Sequence, residues 1–213
     1  MAKLGRPRSF DRDEAINQAM LLFWEHGYES TSLNLLKSGM GDISAPSFYA
    51  AFGSKEILFK EVVTRYLNTY GQVTASLWDQ TLPPKEAIEL ALRCSAKMQT
   101  ECNHPPGCLL VLSASVCSPE HAHIQKLLID ARRRVRKGFT SCIQRAIDNG
   151  ELAGESDPTV MAAMFDSFLL GFSTLARNGV PLKVFESSIT QIMKVWDTRG
   201  CNEQPSSTLN CME

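Results

Sequence analysis

The stretch that decides the fold runs from position 44 to position 52 and reads Ser-Ala-Pro-Ser-Phe-Tyr-Ala-Ala-Phe. Ser44 is a residue type that caps helix N-termini, and Pro46 fits a first helical turn, where an amide hydrogen has no intrahelical partner. Phe48 and Phe52 are one helical turn apart, so they share one apolar face. Three small or polar side chains are left to face outward: Ala45, Ser47 and Tyr49. We therefore predict a short helix with one packed face and one exposed face.

Two further helices are predicted before this stretch. Asp11 followed by Glu14 is a capping-box pattern at the start of the first helix, and Gly27 is a typical residue to end it. The second helix is predicted over about 32–38, with Thr31 as its cap. Three helices in about 45 residues, the last two joined by a tight turn, are typical of a helix-turn-helix.

The last helix of a helix-turn-helix enters the major groove of DNA. Hydroxyl groups and free amides at a helix N-terminus are natural partners for phosphates and base edges. We therefore predict double-stranded operator DNA as the partner. Four residues of the short helix are expected to face it: Ser44, Ala45, Ser47 and Tyr49.

The first nine residues form a basic arm. They carry Lys3, Arg6 and Arg8 and no acidic residue, whereas the whole chain has a net charge of -1. An extended cationic segment of this kind suits the narrow minor groove of A·T-rich DNA. The alternative is a solvated arm without a partner.

Several spaced motifs around these helices agree with one family. They are Glu25-His-Gly-Tyr28, Thr31-Ser-Leu33, Ile43-Ser44, Phe48-Tyr-Ala-Ala-Phe52 and Ser54-Lys-Glu-Ile-Leu58. Over about residues 10–58, the chain resembles the DNA-binding domain of the TetR/AcrR repressors. The resemblance implies that Thr31, Tyr49 and Lys55 contact DNA phosphates. One departure is Gly41-Asp42, which makes the turn one residue longer than the usual pattern.

The remainder of the chain also carries helix signals. A helix capped by Ser54 is predicted to continue to about Trp78, and residues 108–117 are assigned to a helix, although their apolar run also fits a strand. Longer helices are predicted from Pro83-Pro84 to before Asn103, and over 119–149, 157–178 and 182–198. The prediction is an all-α protein of about nine helices. It comprises a basic flexible arm (1–9), a helix-turn-helix domain (10–56), a larger helical ligand-binding and dimerisation domain (57–200) and a disordered tail (201–213).

The helix over 157–178 is apolar nearly all round. Its large apolar residues are Met161, Met164, Phe165, Phe168, Leu169, Phe172 and Leu175. Such a helix must be covered on both sides, so one side is expected to face the core and the other a second subunit. The resemblance implies a homodimer through helices 157–178 and 182–198. Since one short reading helix buries too little surface for tight specific binding, a dimer on a palindromic operator is expected.

The resemblance also implies a small-molecule inducer bound among the later helices. Five residues are candidates to line its site, although all are equally good core residues: Trp78, Met98, Cys102, Phe139 and Phe165.

Cys108 is the candidate for a redox or electrophile sensor, with a small buried core residue as the alternative. The run Arg132–Lys137 wraps all sides of a helix and is expected to be solvated, unless one arginine turns inward as an anion partner.

Other function classes lack their usual signals. The seven cysteines contain no C-x-x-C pair, and His121 and His123 project about 200° apart on a helix, so no metal and no cofactor are expected. There is no phosphate loop or paired-carboxylate motif, so we expect no enzyme. A Cys-dependent helical enzyme and a helical adaptor are the alternatives. With no apolar secretory segment at the N-terminus, a cytoplasmic protein without a membrane partner is expected.

Overall fold

The structure is a computed structural model that describes residues 11–113, 117–153 and 155–197. In these residues the chain forms nine α-helices and no strand, which confirms the all-α prediction. The α-helices are α1 (Arg12–Ser30), α2 (Leu33–Gly39), α3 (Ala45–Phe52), α4 (Lys55–Asn68), α5 (Pro84–Thr100), α6 (Leu109–Leu112), α7 (Ala122–Asp148), α8 (Pro158–Arg177) and α9 (Leu182–Ile192). Three 3₁₀ segments join or extend them: Tyr70–Trp78, Pro119–His121 and Met193–Asp197.

Short polar side chains cap the first four helices. The Asp11 carboxylate accepts hydrogen bonds from the amides of Asp13 and Glu14, as the sequence predicts. Ser44 and Ser54 cap α3 and α4 by accepting from the amide three residues later. The predicted cap of α2 was wrong by one residue. Its cap is Ser32, because the Thr31 hydroxyl is already donated to the Gly27 carbonyl at 2.6 Å.

Gly27 interrupts α1 where the sequence predicts its end. Its φ of +80° lies in the left-handed region, so the last residues of α1 leave the helix axis. The amide of Tyr28 then donates to the Ser113 carbonyl at 2.8 Å. On the other side of the break, the Arg177 guanidinium donates to the carbonyls of Trp24 at 2.6 Å and Glu25 at 3.1 Å. The broken end of α1 is thus held by two distant parts of the chain.

Two hydrophobic cores organise the molecule. The first joins α1–α4 and includes Phe23, Trp24 and Phe59, together with Ile124 and Leu128 from the start of α7. The second lies among α5, the later part of α7, α8 and α9; its largest members are Phe139, Phe165, Phe172, Phe185 and Trp196. Because α7 contributes to both cores, it connects the N-terminal helices to the rest of the chain.

Several predicted helix extents differ from the structure. The helix predicted to reach Trp78 breaks at Thr69, whose φ and ψ are -122° and -94°, and continues as a 3₁₀ segment. The Thr69 hydroxyl donates back to the Arg65 carbonyl at 2.8 Å, and Gly71, two residues on, disfavours an α-helix. The helix predicted over 108–117 is α only at Leu109–Leu112, with residues 114–116 outside the described part. The last helix tightens to 3₁₀ geometry after Ile192.

The helix α8 is long and apolar enough to cross a membrane by length and composition. Its middle, however, carries Asp166, which is 3% exposed and accepts a hydrogen bond from Nε of Arg136 on α7 at 2.6 Å. One side of α8 also contributes Phe165, Leu169 and Phe172 to the second core. We therefore assign α8 to the protein core and not to a membrane.

Substituting Gly27 tests the importance of the break in α1. A Cβ at position 27 would lie 3.2 Å from the Ser113 carbonyl oxygen and would also require a positive φ. We expect Gly27→Ala to lower the free energy of unfolding by about 1–3 kcal/mol, measured by urea denaturation. Gly179→Ala is the matched control, since Gly179 has a φ of +76° but nothing within 4 Å of an added Cβ. Equal losses in both variants would show that the contact with Ser113 is unimportant.

Candidate DNA-reading surface and ligand cavity

The helix α3 presents its polar face to solvent, as predicted. Phe48 and Phe52 are 0% and 3% exposed, whereas the side chain of Tyr49 is 53% exposed. Ser44 and Ser47 are also exposed, with 2.8 Å between their hydroxyl oxygens, and Ala45 is half-buried. Two exposed residues of the same helix were not predicted: Pro46 and Ala50. Ala50 follows Ser47 by three residues, so helical periodicity could have identified it.

The long turn before α3 adopts two consecutive left-handed residues. Gly41 has a φ of +86° and Asp42 a φ of +59°. Aspartate tolerates this conformation better than most residues with a Cβ, which explains how the extra residue is accommodated. The amide of Ile43 then donates to the Lys37 carbonyl at 3.2 Å, closing the turn onto α2.

The other predicted DNA contacts have different surroundings. Thr31 is fully buried, so in this structure the exposed hydroxyl at the start of α2 belongs to Ser32. Lys55 is half-buried, and its Nζ lies 4.4 Å from the centroid of the Tyr28 ring. Burial lowers the pKa of Lys55, while the nearby charge of Glu29 opposes this shift. The arm residues predicted to bind DNA, Lys3, Arg6 and Arg8, lie outside the described residues.

A cluster that the sequence did not reveal joins the N-terminal helices to the start of α7. The Glu29 carboxylate accepts hydrogen bonds from the Ser118 amide at 2.9 Å and from the Ser118 hydroxyl at 3.0 Å. Nδ1 of His121 lies 2.7 Å from the same oxygen. The Ser118 amide, followed by the His121 ring, lowers the pKa of Glu29. Nearby, Nε2 of His123 is 3.1 Å from Glu56.

The two histidine rings of this cluster do not converge on one point, as two ligands of a metal ion would. Each ring lies against a different carboxylate, and the ring centroids are 6.3 Å apart. Among the residues that the structure describes, no group of three or more His, Cys, Asp or Glu side chains is arranged to hold a metal ion.

A cavity of about 270 Å³ lies between the end of α4, the 3₁₀ segment Tyr70–Trp78, and helices α5–α8. Of the five residues predicted to line a ligand site, Trp78 and Met98 face this cavity. The other three predicted residues do not line this cavity. Cys102 is exposed elsewhere, and Phe139 and Phe165 stack in the second core with ring centroids 6.0 Å apart.

The cavity wall contains buried polar groups. Asp166 and Gln99 lie in the wall, and each has a partner: Arg136 binds Asp166, and the Ser173 hydroxyl donates to Gln99 at 2.8 Å. The Arg132 guanidinium also reaches the wall, where it donates to the Leu110 carbonyl. The arginine run is therefore only partly solvated: Arg132 is half-buried, and Arg136, although its side chain is 53% exposed, bonds to the buried Asp166.

Cys108 is part of the same wall. The Tyr66 hydroxyl donates to its sulfur at 3.2 Å, so the neighbour of the thiol is a phenol and not a histidine. Burial raises the pKa of the Cys108 thiol and raises that of Tyr66 well above its usual value. The pKa of Cys117 is also raised, mainly by burial. Both thiols therefore stay protonated at neutral pH, which disfavours the Cys-dependent enzyme alternative.

Comparisons with known proteins match both parts of the chain. The family model described as "Bacterial regulatory proteins, tetR family" matches residues 15–62, and "Tetracyclin repressor-like, C-terminal domain" matches residues 87–180. The transcriptional repressor ComR of Escherichia coli K12 is 30% identical over 193 residues, covering 90% of this chain and 91% of ComR. The chain belongs to the TetR family of transcriptional regulators.

A solved structure gives the same assignment for the whole fold. The TetR-family regulator CifR, as a cysteine mutant in complex with a 26-bp operator duplex, has a TM-score of 0.82 and 35% identity to this chain. The match covers 90% of this chain and all of the CifR chain. The repressor BdcR of E. coli K12 is 33% identical over 107 residues, about half of each protein.

The second half of this TetR-family chain leaves an apolar surface uncovered. It is formed by Val160, Met164 and Leu175 on α8 and Val184 on α9, which are 37–65% exposed. Gly171 lies along α8 between Met164 and Leu175, and a Cβ there would meet nothing within 4 Å. We call these five residues the α8–α9 face.

Proposed function

We propose that this protein is a transcriptional repressor that binds a palindromic operator as a homodimer and is released by a small-molecule inducer. The observation that carries the proposal is the outward face of α3, on which Ser44, Ser47 and Tyr49 are exposed while Phe48 and Phe52 anchor the helix. The operator duplex bound to the related CifR supports it. We further propose a cytoplasmic protein without enzymatic activity.

The reading surface consists of α3 and its surroundings. The hydroxyls of Ser44 and Ser47 face the major groove, while the Tyr49 phenol reaches a phosphate. At the start of α2, the Ser32 hydroxyl takes the phosphate contact first expected of Thr31. The arm residues Lys3, Arg6 and Arg8 follow the adjacent minor groove. Lys55 contributes positive charge behind α3.

The α8–α9 face is the proposed subunit interface. Leaving apolar side chains of this size exposed is unfavourable, and pairing α8 and α9 with the same helices of a second copy would bury them. The small residue Gly171 lets two helix backbones approach closely. A two-fold pair then presents two α3 helices to half-sites one helical turn, about 34–36 Å, or a multiple of it apart.

The cavity is the proposed inducer site because its wall includes the end of α4. Tyr66, Leu67 and Asn68 contact the cavity, whereas Leu58 and Phe59, earlier in the same helix, belong to the first core. A molecule that enlarges the cavity would therefore shift α4 and, with it, the packing that orients α3. Moving operator occupancy from nearly full to nearly empty requires about 5.5 kcal/mol of differential inducer affinity.

A cysteine sensor is a second candidate, favoured by the position of Cys108 in the cavity wall. A group added to its sulfur would enter the proposed inducer site and displace the Tyr66 hydroxyl, which lies 3.2 Å away. The same release of DNA would then follow from covalent modification.

Substituting Tyr49 tests the reading surface. We expect Tyr49→Ala to weaken operator binding about 5- to 100-fold, because a DNA contact is lost, while thermal stability stays unchanged because the side chain is exposed. Binding is measured by fluorescence anisotropy on a duplex that the wild-type protein selects from a random-sequence pool. Leu90→Ala on α5, where Leu90 is 46% exposed, is the control. Wild-type affinity in Tyr49→Ala would contradict the proposed surface.

Substituting Leu175 tests the subunit interface. We expect Leu175→Arg to raise the dimer dissociation constant roughly tenfold or more, since it buries a charge in an apolar contact. Sedimentation equilibrium at micromolar concentration measures this. Leu90→Arg is the matched control, because Leu90 is 46% and Leu175 44% exposed. A monomeric wild-type protein, or an equally dimeric Leu175→Arg variant, would refute the interface.

Alkylating Cys108 tests the sensor. The thiol S–H adds across the C=C bond of N-ethylmaleimide, with the thiolate as the nucleophile. Because the pKa of Cys108 is raised, we expect the reaction to be slow at pH 7 and to accelerate as the pH rises. We expect modified wild-type protein to lose operator binding, with Cys108→Ser protected and Cys102→Ser, at an exposed position, still sensitive. Mass spectrometry confirms which thiol has reacted. Full DNA binding by protein modified at Cys108 would exclude the sensor.

A further inference from the structure

We infer that the cavity takes a neutral, mostly apolar molecule with one hydroxyl or carbonyl group, which hydrogen-bonds to Ser95. The inference rests on the proposed function in taking this cavity as the inducer site, and it adds the chemical class of the inducer. Three observations carry it: an unpaired hydroxyl, charged wall residues that already have partners, and an aliphatic wall of limited size.

The unpaired hydroxyl belongs to Ser95 on α5. The residue is 1% exposed and lies in the cavity wall, and its Oγ has no hydrogen-bond partner among the described residues. Its neighbours differ in this respect: Gln99 accepts from Ser173, and the Thr100 hydroxyl donates to the Ala96 carbonyl at 2.9 Å. Buried polar groups are nearly always paired. A ligand oxygen in the cavity would supply the hydrogen-bond partner that the Ser95 hydroxyl lacks.

The charged side chains of the wall already have partners. Asp166 is bound by Arg136 at 2.6 Å, Arg132 donates to the Leu110 carbonyl, and the guanidinium carbon of Arg134 lies 5.8 Å from the centroid of the Trp78 ring. A charged ligand would have to compete with one of these contacts to gain a counter-charge. A neutral ligand avoids that cost.

The rest of the wall sets the shape and size of the ligand. It is mainly aliphatic, with Leu67, Val73, Met98, Leu169 and Leu170, and Trp78 adds an aromatic ring. A cavity of about 270 Å³ is near the lower end of the range for small-molecule sites, which favours a compact ligand. A bicyclic hydrocarbon with one oxygen is of this size.

Four probes built on naphthalene separate the chemical classes. They are 1-naphthol, 1-methylnaphthalene, the anion 1-naphthoate and the cation 1-naphthylmethylammonium, each titrated calorimetrically into the full-length protein. We expect 1-naphthol to bind about five- to tenfold more tightly than 1-methylnaphthalene, and both charged probes to bind more weakly than 1-naphthol. Ser95→Ala should remove the advantage of 1-naphthol and leave the affinity for 1-methylnaphthalene unchanged.

A matched control is Ser187→Ala on α9, where the hydroxyl donates to the Lys183 carbonyl away from the cavity. Thermal unfolding of each variant verifies that it is folded. The inference is overturned if a charged probe binds most tightly, if Ser95→Ala leaves 1-naphthol binding intact, or if none of the four probes binds. Operator binding is measured separately with 1-naphthol present. If 1-naphthol binds through Ser95 but operator affinity does not change, the ligand class stands and the inducer role of the cavity fails.

Discussion

The burial of Phe48 is the interaction on which the reading surface depends. A helix of eight residues such as α3 is not stable in water by itself, so it forms only because its apolar side packs on the neighbouring helices. Phe48 is fully buried there, and Phe52 is held between the core and Arg12, whose guanidinium carbon lies 5.1 Å from the Phe52 ring centroid. Because these two rings are fixed inside, the opposite side of α3 must face solvent. The packing of α3 therefore also determines which of its side chains are exposed.

The first core, to which Phe48 belongs, reaches the cavity through a chain of aromatic residues. Tyr66 in the cavity wall meets Trp24 of α1 edge to face, with 5.0 Å between the ring centroids. Trp24 in turn stacks on His104, which precedes the loop leading to Cys108. Closely packed rings have few alternative arrangements, so under the proposed mechanism a change at the cavity would be carried to α1.

Local signals in the sequence predicted the helices well, and long-range packing decided the rest. Asp11, Ser44 and Gly27 act through residues only a few positions away, so their roles could be inferred directly. The Glu29–Ser118 contact joins residues 89 positions apart, so no local sequence pattern predicts it. Likewise, Met98 and Phe139 look equally apolar in the sequence. Only the arrangement of five helices places the first beside a cavity and the second in a filled core.

The bond between Arg177 and α1 connects the proposed subunit interface to the proposed DNA-binding helices. Arg177 closes the helix that carries most of the α8–α9 face, yet it donates to backbone carbonyls of Trp24 and Glu25. In the proposed dimer, the angle between the two copies would thereby affect the position of each α3. Mutations in the α8–α9 face would consequently change the operator spacing that the dimer tolerates. Dimerisation and operator selection would therefore change together in evolution.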